Sequence, residues 1–145
     1  KDGKKDGLMT GWYPNGNKSL EQGWKDDIRD GVFLAWYEDG QKKQEGSFIN
    51  DGKDGKMTYW YVDGIKWLEE PYEDGKKSGT LTGWYPNGIK RMEETWKDGK
   101  KDGPFLQWYG NGQKKMVGHW IDGKEFGRWT EYSKEGDIER IANYD

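Results

Sequence analysis

Short runs of alternating apolar and polar residues recur along this chain with a period of 24 residues. Taking Gly7, Gly31, Gly55, Gly79, Gly103 and Gly127 as unit starts, the same aromatic pair follows each of the first five: Trp12-Tyr13, Trp36-Tyr37, Trp60-Tyr61, Trp84-Tyr85 and Trp108-Tyr109. The sixth has Tyr132-Ser133. A glycine closes the motif every time, at 16, 40, 64, 88, 112 and 136. A fixed period predicts one small structural unit stacked on copies of itself, over a single domain of residues 1–145 whose last repeat is a partial cap. Such an array favours a surface that holds something over a catalytic cleft.

The fourth unit shows the local logic. Two alternating runs flank Pro86-Asn87-Gly88, and Asp98-Gly99 closes the unit. Strand, turn, strand, turn is the reading. Pro-Asn-Gly suits a three-residue hairpin loop with glycine in the left-handed position. That loop pairs Trp84 with Lys90 and Leu81 with Glu93. Thr82, Trp84, Lys90, Met92 and Trp96 then share one face, and Leu81, Tyr85, Ile89 and Glu93 the other. A two-residue Asn-Gly turn would exchange the partners. In the first version each lysine covers the tryptophan of its own unit: Lys18/Trp12, Lys42/Trp36, Lys66/Trp60, Lys90/Trp84 and Lys114/Trp108. A second aromatic ends each unit's second strand, at Trp24, Phe48, Tyr72, Trp96, Trp120 and Tyr144. The expected fold class is all-β, an open, elongated, twisted array of stacked β-hairpins. Ile138–Tyr144 reads as a last strand or a short terminal helix.

Composition changes this picture in one respect. Hydrophobic residues make up only 31% of the chain, which alone would suggest disorder, but aromatics make up 16%, with ten tryptophans. Each buried aromatic removes roughly 150–250 Å² from water, so rows of rings can replace an aliphatic core. The net charge is −3, from 24 basic and 27 acidic residues that are interleaved. No basic face follows, so no nucleic-acid partner is expected. No run approaches the roughly 18 apolar residues of a transmembrane segment. The absence of cysteine excludes disulfides and thiolate metal sites. Because the chain starts at Lys1 and not at Met, a processed or exported cell-surface protein is expected in preference to a cytoplasmic one.

Two internal echoes add detail. Residues 2–49 match residues 74–121 at more than half of positions, as a duplicated three-unit block would. Lys1–Asp6 repeats Lys97–Asp102, so the array opens on the tail of a unit. The sixth unit departs from the pattern and carries Glu131, Glu135, Asp137 and Glu139, as a polar cap would.

The pattern Trp-Tyr-x-Asn/Asp-Gly-x-Lys, then Glu, an aromatic and Asp-Gly-Lys, resembles the bacterial variant of the MORN repeat over the whole chain. Departures occur at Asp27-Ile28-Arg29, at Asn50–Lys53, and where Val117 and Ile141 replace the glutamate; they bear on local turns. The resemblance implies a rod of hairpins used for binding, in proteins described as antitoxin-like or secreted. MORN repeats elsewhere accompany phosphoinositide kinases, but this chain has no nucleotide loop and no length outside the repeats for a catalytic domain.

Candidate chemistry is sparse. No catalytic or metal-ligating set and no cofactor is expected: His119 is the sole histidine and an expected exposed strand position, and the Asp-Gly-Lys loops lack calcium-loop spacing. Trp12, Trp36, Trp60, Trp84 and Trp108 have two readings, an aromatic platform or the core of the stack. So small a sheet has little else to bury, which favours the core. Yet ten tryptophans exceed what one thin face needs, so some should stay exposed and mark the partner site. Glu21, Glu45, Glu69 and Glu93 recur at one position, either as an acidic row facing a partner or as a solvated face balanced by lysines. The expected function is a non-enzymatic protein-binding scaffold. A glycan- or lipid-binding module is the alternative, and a hydrolase using scattered carboxylates a third.

Overall fold

The computed structural model describes residues 3–145. Among them there are thirteen strands and no helix. The strands are β1 (Gly7–Trp12), β2 (Lys18–Lys25), β3 (Ile28–Trp36), β4 (Lys42–Ile49), β5 (Gly52–Trp60), β6 (Lys66–Glu73), β7 (Lys76–Lys77), β8 (Gly79–Trp84), β9 (Lys90–Lys97), β10 (Lys100–Trp108), β11 (Lys114–Ile121), β12 (Lys124–Tyr132) and β13 (Ile138–Tyr144). Two compact units result, one ending at Lys76 and the other spanning Lys77–Asp145. In the first, β1 to β6 pair in sequence order; in the second, β8 to β13 do. All these pairings are antiparallel and neither series closes on itself. Each unit thus holds three of the six repeats. Ile138–Tyr144 is a strand, not a helix.

Both turns follow from the sequence. In the first, Tyr85 N–H donates to Ile89 O and Gly88 N–H to Tyr85 O, with Gly88 at φ +81°, so the loop has three residues and a left-handed glycine. Asn87 Oδ1 accepts from Ile89 N–H, fixing the corner. The second turn is a two-residue one with both residues left-handed, such as Asp98 (φ 49°) and Gly99 (φ 82°) between Lys97 and Lys100. The departures Asp26-Asp27 and Asn50-Asp51 adopt the same geometry without glycine. There the carboxylate adds a bond: Asp27 Oδ1 accepts from Lys5 N–H, and Asp51 Oδ1 from Arg29 N–H and Nε–H. The guanidinium hydrogen bonds hold the Asp51 carboxyl below its ordinary range.

The strand faces differ from expectation, for one reason. Trp84 pairs with Lys90, as the loop requires, but Gly83 pairs with Met92 and Leu81 with Glu94 instead of Glu93. Arg91 is an unpaired bulge residue, and one inserted residue moves everything beyond it to the opposite face. Ser19, Lys43, Trp67, Lys115 and Glu139 are skipped in the same way. Thr82, Trp84, Lys90 and Glu93 therefore share the first face. Leu81, Met92, Glu94 and Trp96 share the second.

The core lies on the second face, so the tryptophans of the Trp-Tyr pairs are not its main row. Its buried apolar members are Phe48 and Met57 in the first unit and Leu81 and Trp129 in the second. Met57, with no exposed surface, contributes about 2–3 kcal/mol by burial. The repeated tyrosines instead bind one repeat to the next. Tyr13 OH donates to Trp36 O (2.8 Å), Tyr37 OH to Trp60 O (2.7 Å), Tyr85 OH to Trp108 O (2.9 Å) and Tyr109 OH to Tyr132 O (2.9 Å). Asn15, Asn87 and Asn111 add side-chain amide bonds to Glu38 O, Gly110 O and Lys134 O. Each such bond is worth about 1 kcal/mol net.

Candidate functional site

The first face carries the residues expected to meet a partner. In the unit ending at Lys76 these are Trp12, Trp36 and Trp60 with Glu21, Glu45 and Glu69; in the other they are Trp84 and Trp108 with Glu93. The bulge at each skipped position is what brings the tryptophan and the glutamate to one side. Trp12 is 60% exposed, and the other four tryptophans are half-buried. They form neither a buried core nor a fully open platform.

Two lysines approach these rings: Lys18 keeps the expected contact with Trp12 and also reaches Trp36, whereas Lys42 reaches Trp60 and not the expected Trp36. Lys18 Nζ lies 5.9 Å from the Trp12 ring and 5.7 Å from the Trp36 ring, and Lys42 Nζ lies 5.3 Å from the Trp60 ring of the following repeat. The Lys18 ammonium thus touches the rings of two neighbouring repeats. Four lysines of this row, Lys18, Lys42, Lys66 and Lys90, also ion-pair with the glutamate three residues on. Lys42 lies 2.6 Å from Glu45 and Lys66 lies 2.7 Å from Glu69, with Lys18–Glu21 and Lys90–Glu93 alike. Burial pushes the Glu69 carboxyl up, but Lys66 and Lys56 outweigh it and hold it below its ordinary range. Such half-exposed pairs are worth at most about 1 kcal/mol each. Their consequence is that the glutamate row is charge-balanced: a ladder of alternating sign flanked by indoles, not an acidic stripe.

The second face holds an arrangement the sequence reading did not anticipate. A basic side chain covers the aromatic ring nineteen residues later, repeat after repeat. In the first unit Lys5 lies 4.3 Å from the Trp24 ring, Arg29 lies 4.4 Å from Phe48 and Lys53 lies 4.7 Å from Tyr72. In the second unit Lys77 lies 4.9 Å from Trp96 and Lys101 lies 4.5 Å from Trp120. The signal was present in the sequence, since both rows keep the 24-residue period, but the partners lie at the open end of a hairpin and only the register reveals the contact. In the last repeat Glu125 and Tyr144 hold these positions, and their hydrogen bond raises the Tyr144 pKa.

Buried polar groups sit beneath this ladder. Glu94 is 3% exposed. Its Oε2 accepts from Trp96 Nε1–H (3.0 Å), and Oε1 lies 2.7 Å from Lys101 Nζ, an ion pair without hydrogen-bond alignment. Glu70 Oε2 accepts from the hydroxyls of Tyr59 (3.3 Å) and Tyr72 (3.2 Å), and Lys53 Nζ donates to both tyrosine hydroxyls. Burial and the neighbouring carboxylate push Tyr59 up to about 12 and raise Tyr72 as well. Both carboxylates are thus engaged by side chains of the fold itself. Among the described residues no cluster of three His, Asp or Glu could hold a metal ion. His119 is a half-buried strand residue, not an exposed one. No helix is long and apolar enough to cross a membrane.

The model of the MORN repeat variant matches residues 5–26 and 29–50. Over these segments the chain is similar to that repeat. The remaining hairpins keep the same loop and the same bulge, and the fourth and fifth repeats keep the tyrosine and asparagine bonds to the next hairpin, so the later units extend a pattern that the match covers only in part. MORN repeats are generally modules that bind proteins or membranes and are not a known enzyme family. The search of curated proteins finds no match.

Proposed function

We propose that this chain is a non-enzymatic protein-binding scaffold, with the first face of its hairpins as the contact surface. The observation that carries the reading is the placement of Trp12, Trp36, Trp60, Trp84 and Trp108 outside the core, each beside a lysine and four of them beside a Lys–Glu pair. Half-exposed indoles supply apolar contact at low entropic cost, and flanking charges of both signs set the register of a partner. The specific form we favour is an antitoxin- or immunity-like or secreted interaction protein, which rests on the family resemblance alone. Glycans and lipids are the competing ligands, since stacked aromatics suit either.

Substitution tests it. Trp36→Ala and Trp60→Ala are expected to weaken capture of the physiological protein partner at least tenfold while the hairpins stay folded by circular dichroism. Wild-type affinity in both variants would sink the reading. Flotation with anionic or neutral liposomes that is lost in the same variants would transfer the face to lipid, and a tryptophan-fluorescence response on a glycan array would transfer it to sugar.

A further inference from the structure

We propose that the fifth repeat's stretch of the first face docks a short segment of a protein partner, one that sets an apolar side chain among carboxylates. This rests on reading the first face as the contact surface and names the chemistry that one part of it takes. Antiparallel pairing puts Trp108 opposite Lys114, Leu106 opposite Val117, Pro104 opposite His119, and His119 in turn opposite Phe126 of β12. Alternate residues of a strand share a face, so Pro104, Leu106, Val117, His119, Ile121 and Phe126 stand together on the first face. Ile121 is 43% exposed and Phe126 46%. The patch lies on β10, β11 and β12, each of which has a paired strand on both sides.

In the first four repeats the same positions are polar. The row of Glu21, Glu45, Glu69 and Glu93 continues as Val117. Phe126 stands where earlier repeats have Asp30, Asp54, Ser78 and Asp102. In the second repeat the pair corresponding to His119 and Phe126 is Ser47 with Asp54, and the serine hydroxyl donates to Asp54 O. Two carboxylates of that repeat are thus replaced by apolar side chains at neighbouring positions. The phenylalanine is not drawn into the core, and a partner is what would cover it.

The charges around the patch select the occupant. Lys18, Lys42, Lys66 and Lys90 each ion-pair with the glutamate three residues on, whereas Lys114 has Val117 there. Lys124, opposite Ile121, and Arg128, two residues beyond Phe126, are exposed on the same face. Asp122, close enough to feel Lys124, is held instead by Lys100 (2.6 Å). Among the described residues no carboxylate ion-pairs with Lys114, Lys124 or Arg128. Three uncompensated cations around an apolar patch match a ligand that brings both carboxylates and apolar surface. The whole chain has a net charge of −3, so a short acidic segment fits where an extended anionic surface would be repelled by the rest of the molecule.

Panning a displayed library of random short peptides on the full chain tests this. Enriched sequences are expected to join Asp or Glu to Phe, Leu, Ile or Trp, and a selected peptide should shift the imidazole NMR signals of His119, the sole histidine. Val117→Glu and Phe126→Asp install the residues that the second repeat carries, and the first also gives Lys114 the partner that Lys42 has. Each should weaken the peptide about tenfold. Lys124→Glu combined with Arg128→Glu should do the same without touching an apolar residue, while Trp36→Ala leaves the affinity unchanged. Enriched peptides without carboxylates, or wild-type affinity in Phe126→Asp, overturn the proposal. So does flotation with phosphatidylserine–phosphatidylcholine vesicles that is lost in Phe126→Asp, which would assign the patch to lipid. Capture of the physiological partner that is lost in Trp36→Ala and Trp60→Ala but intact in Val117→Glu and Phe126→Asp overturns this inference and leaves the wider reading of the face standing.

Discussion

In the fourth repeat Glu94 is buried between the ammonium of Lys101 and the indole N–H of Trp96; one repeat later Gly118 occupies the same position, and the ring of Trp129 fills the room. A Cβ built on Gly118 would come within 2.2 Å of that ring. The carboxylate satisfies an indole N–H, whereas the glycine leaves Trp120 Nε1 and Trp129 Nε1 without hydrogen-bond partners. The two indoles compensate by packing edge to face, with centroids 5.0 Å apart at 79°. One backbone slot thus accepts either a polar network or a ring. Which one it takes depends on the residue arriving from the following strand, Phe105 against Glu94 and Trp129 against Gly118.

The sharpest way to break this comparison is to fill the glycine slot. Gly118→Val is expected to cost about 3 kcal/mol in urea denaturation, because the clash is with a packed ring. A loss well under 1 kcal/mol would show that Trp129 swings aside freely. Removing the carboxylate is the reciprocal change. Glu94→Ala should cost about 2 kcal/mol, leaving the Trp96 N–H and the Lys101 ammonium uncompensated, and Glu94→Gln distinctly less, since it keeps an acceptor for Trp96. Equal losses would place the energy in the ion pair and not in the indole bond.

A third change separates two kinds of glycine. Gly88 has open space around its Cβ direction but a φ of +81°. Gly88→Val should therefore cost a little over 1 kcal/mol from backbone strain alone. An unchanged melting temperature would mean that the loop tolerates another conformation. The third repeat supplies a pH test of the polar solution. The Tyr59 and Tyr72 pKa values are raised in the folded state, Tyr59 to about 12 from 10.0. The folded chain thus holds these protons more tightly than the unfolded one, so their stabilisation is complete below pH 10 and is lost as pH rises through about 12. Melting temperature should fall across that window, and less steeply in Tyr72→Phe. A parallel decline in both proteins would remove the network from the account.

The smallest expected effect is a gain. Asn15, Asn87 and Asn111 donate to the next repeat, whereas Asp39 has no amide to do so and only accepts from Gln41 N–H. Asp39→Asn should add about 0.5 kcal/mol by bonding to Val62 O. No gain would mean that the turns of the second and third repeats do not approach as those of the first and second do.

The period, the places of the two turns, the three-residue loop that pairs Trp84 with Lys90 and the all-β class were legible in the residues, because turn chemistry and alternation are local. The MORN resemblance was legible for the same reason. What could not be read was the side of the sheet on which Met92, Glu93 and Trp96 lie. A single bulge at Arg91 decides it, and nothing in the side chain of an arginine announces a bulge. The candidate site followed that uncertainty: the tryptophans and glutamates were found as rows, but their sharing a face depended on the inserted residue.

By itself, then, the sequence determined which segments become strands and where the chain reverses, since those choices are settled within a few neighbouring residues. Only the tertiary structure decided which rings are covered, which lysine meets which indole, and whether a slot holds Glu94 or the ring opposite Gly118. Those outcomes depend on strands one repeat away, through a register that local preference does not encode.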